Sequence, residues 1–319
     1  MASMTREDVA ALLGEGGLYA AGRDRLYTVD ELMAGYRSDA PMQHLDARIA
    51  AHVKAAGIPP ADVGEAIAQV VHDQGVDAAM RAFVAASVAD GRHVAGVMGG
   101  AATPRNAPGY RLAAQTAKGL SEAGFLVATG GGLGIMEAGN LGACFAGRPD
   151  EELQAAIDEL ARCPTYAGHE AEYIDSARAV AARRPAGARS LAVATWRYDS
   201  EPISQFATHI AKLFQNAVRE DGLLSIADAG VAYFEGGFGT LQEIFQDLAQ
   251  NGSAGPAHQA PMVFVDTAAY GRPGSPFHLA RARAAGAAAP FDHLIALADS
   301  ADAVVAAMTA ARGRRHLAG

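Results

Sequence analysis

The chain has 319 residues, 50% of them apolar and 19% charged, with a mean hydropathy of +0.06 and a net charge of −9. That composition suits a soluble globular protein with one full domain and room for a smaller one. The acidic balance argues against a nucleic-acid-binding face, which needs a basic surface, and no apolar run approaches the roughly 20 residues of a membrane span.

The N-terminus (Met1-Ala-Ser-Met-Thr-Arg-Glu-Asp8) carries early acids and no apolar core, so it does not read as a signal peptide. Residues 5 to about 90 lack strand signals and read as several short helices. Thr28 is a helix cap with Glu31 three residues on, and Pro59-Pro60-Ala61-Asp62 turns into a helical run from Val63 to Gln74. His44, His52 and His72 show no metal-ligand spacing and read as surface or capping histidines. Residues 1–90 are therefore expected to be a helical extension that packs on the main domain or builds an oligomer contact.

From about residue 92 strands and helices alternate. His93–Met98 reads as a strand ending in Gly99-Gly100, Tyr110–Ala123 as a helix, Phe125–Thr129 as a strand and Ile135–Phe145 as a helix. Residues 148–186 are more charged and less regular, as an insertion would be. Ser190–Thr195 reads as a strand, Phe206–Val218 as an amphipathic helix and Gly230–Phe234 as a strand. Leu241–Gln250 follows as a helix, Pro261–Val265 and Leu294–Leu297 as strands, and the tail after Arg312 as frayed. This alternation predicts an α/β fold for residues 91–319, a Rossmann-like parallel sheet with helices on both faces. Cys144 and Cys163, without a CxxC, fit a reducing cytosol, and Cys144 reads as a small buried residue on a helix. A cytoplasmic protein is expected.

Two glycine-rich turns each follow a strand and open a helix: Gly130-Gly131-Gly132-Leu133-Gly134 and Gly236-Gly237-Phe238-Gly239-Thr240. Bare amides and a helix N-terminus converge on an anion in such turns, although each turn alone also suits a plain strand-to-helix connection. Neither turn is a dinucleotide fingerprint, because the third glycine would fall at Ile135 or Glu137. Neither is a P-loop, because no lysine follows. Thr240 can donate to a phosphate or cap its own helix. Glu243 and Glu137 stand one turn into their helices, where acids also suit the macrodipole, and Arg219 closes a helical run, where a base suits the C-terminus. Trp196 and His209 are candidates for a base pocket, with core or surface as the alternative.

Thr129-Gly-Gly-Gly-Leu-Gly-Ile-Met-Glu-Ala-Gly-Asn140 and Glu235-Gly-Gly-Phe-Gly-Thr-Leu-Gln-Glu243 resemble the paired signatures of the LOG ("Lonely guy") family, long labelled "possible lysine decarboxylase". The resemblance spans about residues 92–268. It implies a Rossmann-like fold, a homodimer or larger homo-oligomer, and cleavage of nucleoside 5′-monophosphates to free base and ribose 5-phosphate. On that resemblance Gly236, Gly237, Gly239 and Thr240 form the phosphate loop, and Gly130, Gly131, Gly132, Gly134 and Glu137 complete the substrate site. Glu243 and Arg219 are then the catalytic pair. Glu235 stands where the family motif has proline, and Glu220 where it has lysine after the arginine.

The decarboxylase label would require a pyridoxal Schiff base. The three lysines, Lys54, Lys118 and Lys212, fall in the extension and in helical runs, so that cofactor is not expected. No other cofactor and no metal is expected either. Cleavage through an oxocarbenium-like transition state calls for a carboxylate near the anomeric carbon, supplied by Glu243. Arg219, which does not deprotonate, would act electrostatically. The rival expectation is a nucleotide-binding module that senses its ligand without hydrolysing it.

Overall fold

The computed structural model describes residues 17–183, 187–198 and 202–318, with side chains through residue 311. The expectations for the first residues of the chain fall on 1–16 and lie outside the described residues.

Among the described residues, seven strands form one parallel sheet: β1 (Val94–Met98), β2 (Leu126–Thr129), β3 (Ser190–Thr195), β4 (His209–Leu213), β5 (Gly230–Tyr233), β6 (Met262–Val265) and β7 (Ile295–Ala298). Their order is β4-β3-β2-β1-β5-β6-β7. The sheet thus grows outward in both directions from β1, and the order reverses between β1 and β5. The strands are short apolar runs buried almost throughout, as expected of a parallel sheet covered on both faces.

One face carries α4 (Pro108–Glu122), α5 (Ile135–Cys144), α6 (Asp150–Leu160), α7 (Glu170–Ala182) and α12 (Ala301–Ala318). The other carries α8 (Asn216–Ile226), α9 (Phe238–Ser253), the short α10 (Thr267–Tyr270), α11 (Pro276–Ala285) and the N-terminal extension. The expected alternation and the α/β class hold. The segment 148–186, read as irregular, contains α6 and α7, and the C-terminal tail continues as helix to Ala318.

The extension comprises α1 (Val29–Leu32), α2 (Leu45–Ala56) and α3 (Val63–Ala89). Thr28 accepts from the Glu31 amide, the cap read from sequence, and Asp62, in the turn read before Val63, accepts from the Glu65 amide. His44 caps α2, whereas His72 is not a surface residue. It is fully buried between Tyr27, Phe214 and Trp196 and hydrogen-bonds the Tyr27 hydroxyl at 2.8 Å.

Tyr27 exchanges two backbone hydrogen bonds with Ile210, so the extension covers the edge strand β4. An open edge would otherwise template association with another chain. Buried Asp73 on α3 accepts from the amides of Phe214 and Gln215 and fixes the turn from β4 into α8.

The span 206–218, read as one amphipathic helix, is instead β4 followed by the start of α8. The run Ile210–Leu213 is buried on both sides, and extension plus sheet together supply that burial. Helical periodicity is not distinguishable from such a short buried strand.

Candidate functional site

Open α/β sheets bind ligands outside the carboxyl ends of the strands, where the strand order reverses. A cleft of about 490 Å³ lies there, lined by Gly99–Ala102 after β1, Gly130–Gly132 after β2, and Ala194, Thr195 and Lys212 of β3 and β4. Arg219 and Glu220 of α8 and Gly237–Thr240, Gln242 and Glu243 of α9 complete it.

The two glycine turns meet in this cleft for different physical reasons. Gly131 and Gly134 have φ of +74° and +62°, which side chains rarely adopt. A Cβ on Gly130 would sit 2.8 Å from Arg219 Nη2, so that glycine leaves room for the guanidinium. A Cβ on Gly236 would collide with the Thr240 hydroxyl and approach the Gly100 amide to 2.9 Å. Gly237 and Gly239 differ from all of these: an added Cβ at either meets nothing within 4 Å, and neither has positive φ.

Helix α9 begins at Phe238 with Gly237 as its N-cap and no side-chain capping bond. Its first-turn amides therefore lack the partner that a Ser, Thr or Asp would supply. Thr240 does not cap the helix; it is buried with its hydroxyl against Gly236. The helix N-terminus is open to the cleft, with its positive dipole end and donors available to an anion.

Arg219 and Glu243, 24 residues apart, are brought together. Arg219 Nη1 donates to Glu243 Oε1 at 3.0 Å, and its Nε donates to the Val193 carbonyl at 3.2 Å. Glu220 Oε1 lies 3.6 Å from the same guanidinium, and Gln242 donates to the other Glu220 oxygen. Both members of the pair are buried. Burial pushes the Glu243 carboxyl above its ordinary range; Arg219 pulls it back part of the way and the Glu220 charge raises it again.

Glu137 is not part of this cleft. Only 2% exposed, it accepts from Arg105 through both oxygens (2.8 and 2.6 Å), from Tyr110 at 2.9 Å and from Tyr173 at 2.8 Å. It faces α4 and α7, because the first turn of α5 presents that side to the helical layer. Its carboxylate accepts four hydrogen bonds within the protein, from Arg105, Tyr110 and Tyr173. Gly134 likewise acts on the turn itself: a Cβ there would strike the Gly100 carbonyl. Trp196 and His209 do not line the cleft either. Trp196 is core, and His209 stacks on Phe83 with ring centroids 4.1 Å apart.

Lys212 was expected in a helix but stands on β4 and lines the cleft. Its Nζ lies 2.5 Å from Asp46 Oδ1, from the extension. Asp46 also accepts from Trp196 Nε1 at 2.7 Å and from the Ile203 amide at 3.3 Å. Reading β4 as a helix concealed Lys212, and no local pattern marked Asp46, which reaches it across more than 160 positions of chain. Below the cleft, Asp247 of α9 accepts from Tyr233 at 2.8 Å and Asn251 at 2.9 Å, and burial pushes its carboxyl up to about 7.

Among the described residues, no group of three or more His, Cys, Asp or Glu side chains is placed to hold a metal, and no helix is long and apolar enough to cross a membrane.

No family model matches the chain, and no curated protein matches it. Solved structures do. The molybdenum cofactor carrier protein of Chlamydomonas reinhardtii is 18% identical, with 70% of this chain and 99% of that one covered and a TM-score of 0.43. A second structure of that carrier gives 17% and 0.42, with the same coverage. The molybdenum cofactor binding protein of the phototrophic bacterium Rippkaea orientalis gives 16% identity, coverage of 69% and 96%, and a TM-score of 0.41. A likeness at this level does not extend to ligand or activity.

Proposed function

We propose that the chain binds a nucleoside 5′-monophosphate across this cleft and hydrolyses its N-glycosidic bond, releasing the base and ribose 5-phosphate. The observation that carries the reading is the buried Arg219–Glu243 pair at 3.0 Å, set beside an uncapped helix N-terminus whose two exposed glycines answer to no packing constraint. The phosphate is held by the first-turn amides of α9 and contributes binding energy remote from the reacting bond. Glu243 stands against the sugar, where its carboxylate stabilises developing positive charge or activates a water. Arg219 orients that carboxylate and stays charged throughout.

One observation favours a binding module instead. Arg219 is flanked by Glu243 and Glu220, so the cleft offers a phosphate backbone amides but little net positive charge. Turnover separates the readings. Purified protein is incubated with a panel of nucleoside 5′-monophosphates, beside Glu243→Gln and the matching nucleosides, and free base is followed by chromatography. Base release from a monophosphate that drops about 10²-fold or more in the variant supports hydrolysis. Binding without release from any of them overturns it in favour of the module.

A further inference from the structure

We propose that Lys212, fixed by Asp46 of the extension, reads the base of the nucleotide, so that the cleft favours bases with a carbonyl oxygen on the edge away from the sugar. The inference rests on the phosphate-end reading above and specifies the ligand of the same site.

Lys212 and the α9 turn stand at opposite ends of the cleft. The cleft runs over β3, β2 and β1, which lie between β4 and β5 in the sheet. A ligand whose phosphate sits on the α9 amides and whose base runs along the cleft directs that base toward the β4 side, which Lys212 lines.

The lysine is built in. Its side chain is 4% exposed, its Nζ lies 5.6 Å from the Trp196 ring, and Asp46 is its ion-pair partner. Asp46 is itself held by Trp196 Nε1 and the Ile203 amide, so the ammonium has little freedom to turn. An ammonium carries three donors, the ion pair with Asp46 takes one of them, and the side chain lines the cleft. Its charge is already matched by Asp46, and that of Arg219 by Glu243, which disfavours a second phosphate at this end. A neutral acceptor fits. A carbonyl at the distal edge of the base meets donors, whereas an exocyclic amine in its place sets donor against donor.

The test is calorimetric binding of inosine 5′-monophosphate against adenosine 5′-monophosphate, and of uridine against cytidine 5′-monophosphate. It uses the full chain with Glu243→Gln as the parent, so that no substrate is consumed, and adds Lys212→Met or Lys212→Met/Asp46→Asn to it. The double variant guards against the penalty of leaving Asp46 charged and alone in the interior. The parent is expected to prefer the oxo base of each pair by roughly tenfold or more, and both variants to lose that preference. Equal affinities in the parent, or a preference that survives in the double variant, overturn the proposal for Lys212 while the phosphate-end reading stands. Binding of none of the four overturns both.

Discussion

Arg219 ties two separate parts of the site together: its Nη1 holds the Glu243 carboxylate at 3.0 Å and its Nε holds the Val193 carbonyl of β3 at 3.2 Å. The third neighbour of that guanidinium is Glu220, 3.6 Å away, which adds negative charge beside Glu243. Burial and Glu220 both favour the protonated form of Glu243, and Arg219 opposes them. A step that needs the Glu243 carboxylate therefore gains rate as pH rises, with its acid limb above the ordinary glutamate value near 4.3. Glu220→Gln should move that limb to lower pH, and Arg219→Met should move it higher while lowering the rate. Profiles of kcat/KM against pH for the three proteins check this. A limb that ignores Glu220→Gln would assign the titrating group elsewhere.

The glycines of the second turn separate folding from binding. Gly237→Ala adds a methyl to open space, so the variant should unfold within about 0.5 kcal/mol of the parent and yet lose affinity for nucleotide, because the methyl occupies the approach to the α9 amides. Gly236→Ala drives the same methyl into the Thr240 hydroxyl and should destabilise by about 1–3 kcal/mol. Denaturant unfolding and nucleotide titration of both variants give the comparison. Unchanged affinity in Gly237→Ala would place the phosphate away from this turn.

What could be read in advance follows from how local each signal is. Strand β2, its glycine turn and α5 are contiguous, as are β5, its turn and α9, and each unit shows its period, its breaker and its helix start within about 20 residues. The pairing of Arg219 with Glu243 was legible only through a resemblance that spans both. Lys212 was misplaced because β4 is buried by a separate segment, and a strand covered on both sides loses the alternation that would mark it. Asp46 and Asp73 act on β4 and the turn after it from the far side of the chain, and nothing near them in sequence announces it. Glu137 was misread because an acid in the first turn of a helix looks the same whether it faces a ligand or a buried arginine.

That arginine gives Glu137 a purely structural test. The Arg105–Glu137 pair is buried on both sides, and the Arg105 guanidinium also lies 3.2 Å from the centre of the Tyr173 ring. Burial, and then the Glu137 charge, push the Tyr110 and Tyr173 hydroxyls up, which keeps both as donors. Glu137→Gln leaves Arg105 without its counter-charge and should cost about 3–5 kcal/mol. Nucleotide affinity of the protein that remains folded should not change. A variant of parental stability with weakened nucleotide binding would return Glu137 to the ligand site.

Asp247 makes the stability of α9 depend on pH in the opposite sense to a surface carboxylate. In the unfolded chain it loses its proton near 3.8, whereas the folded protein holds that proton up to about 7, because the buried site disfavours the charge more than the Tyr233 hydrogen bond favours it. Between those values the native state binds the extra proton, so the contribution of this group is fully present below about pH 4 and is lost as pH rises toward 7. The slope is at most about 1.4 kcal/mol per pH unit. Asp247→Asn has no charge to lose. It keeps an acceptor for Tyr233 but turns an amide toward Asn251 Nδ2, so it should be the less stable protein at pH 5 and gain on the parent steadily up to about pH 7. Urea unfolding of both proteins at pH 5, 6, 7 and 8 measures the difference directly. Two stability curves that run parallel over this range would mean that Asp247 is already ionised at pH 5, and that Tyr233 and Asn251 compensate its burial.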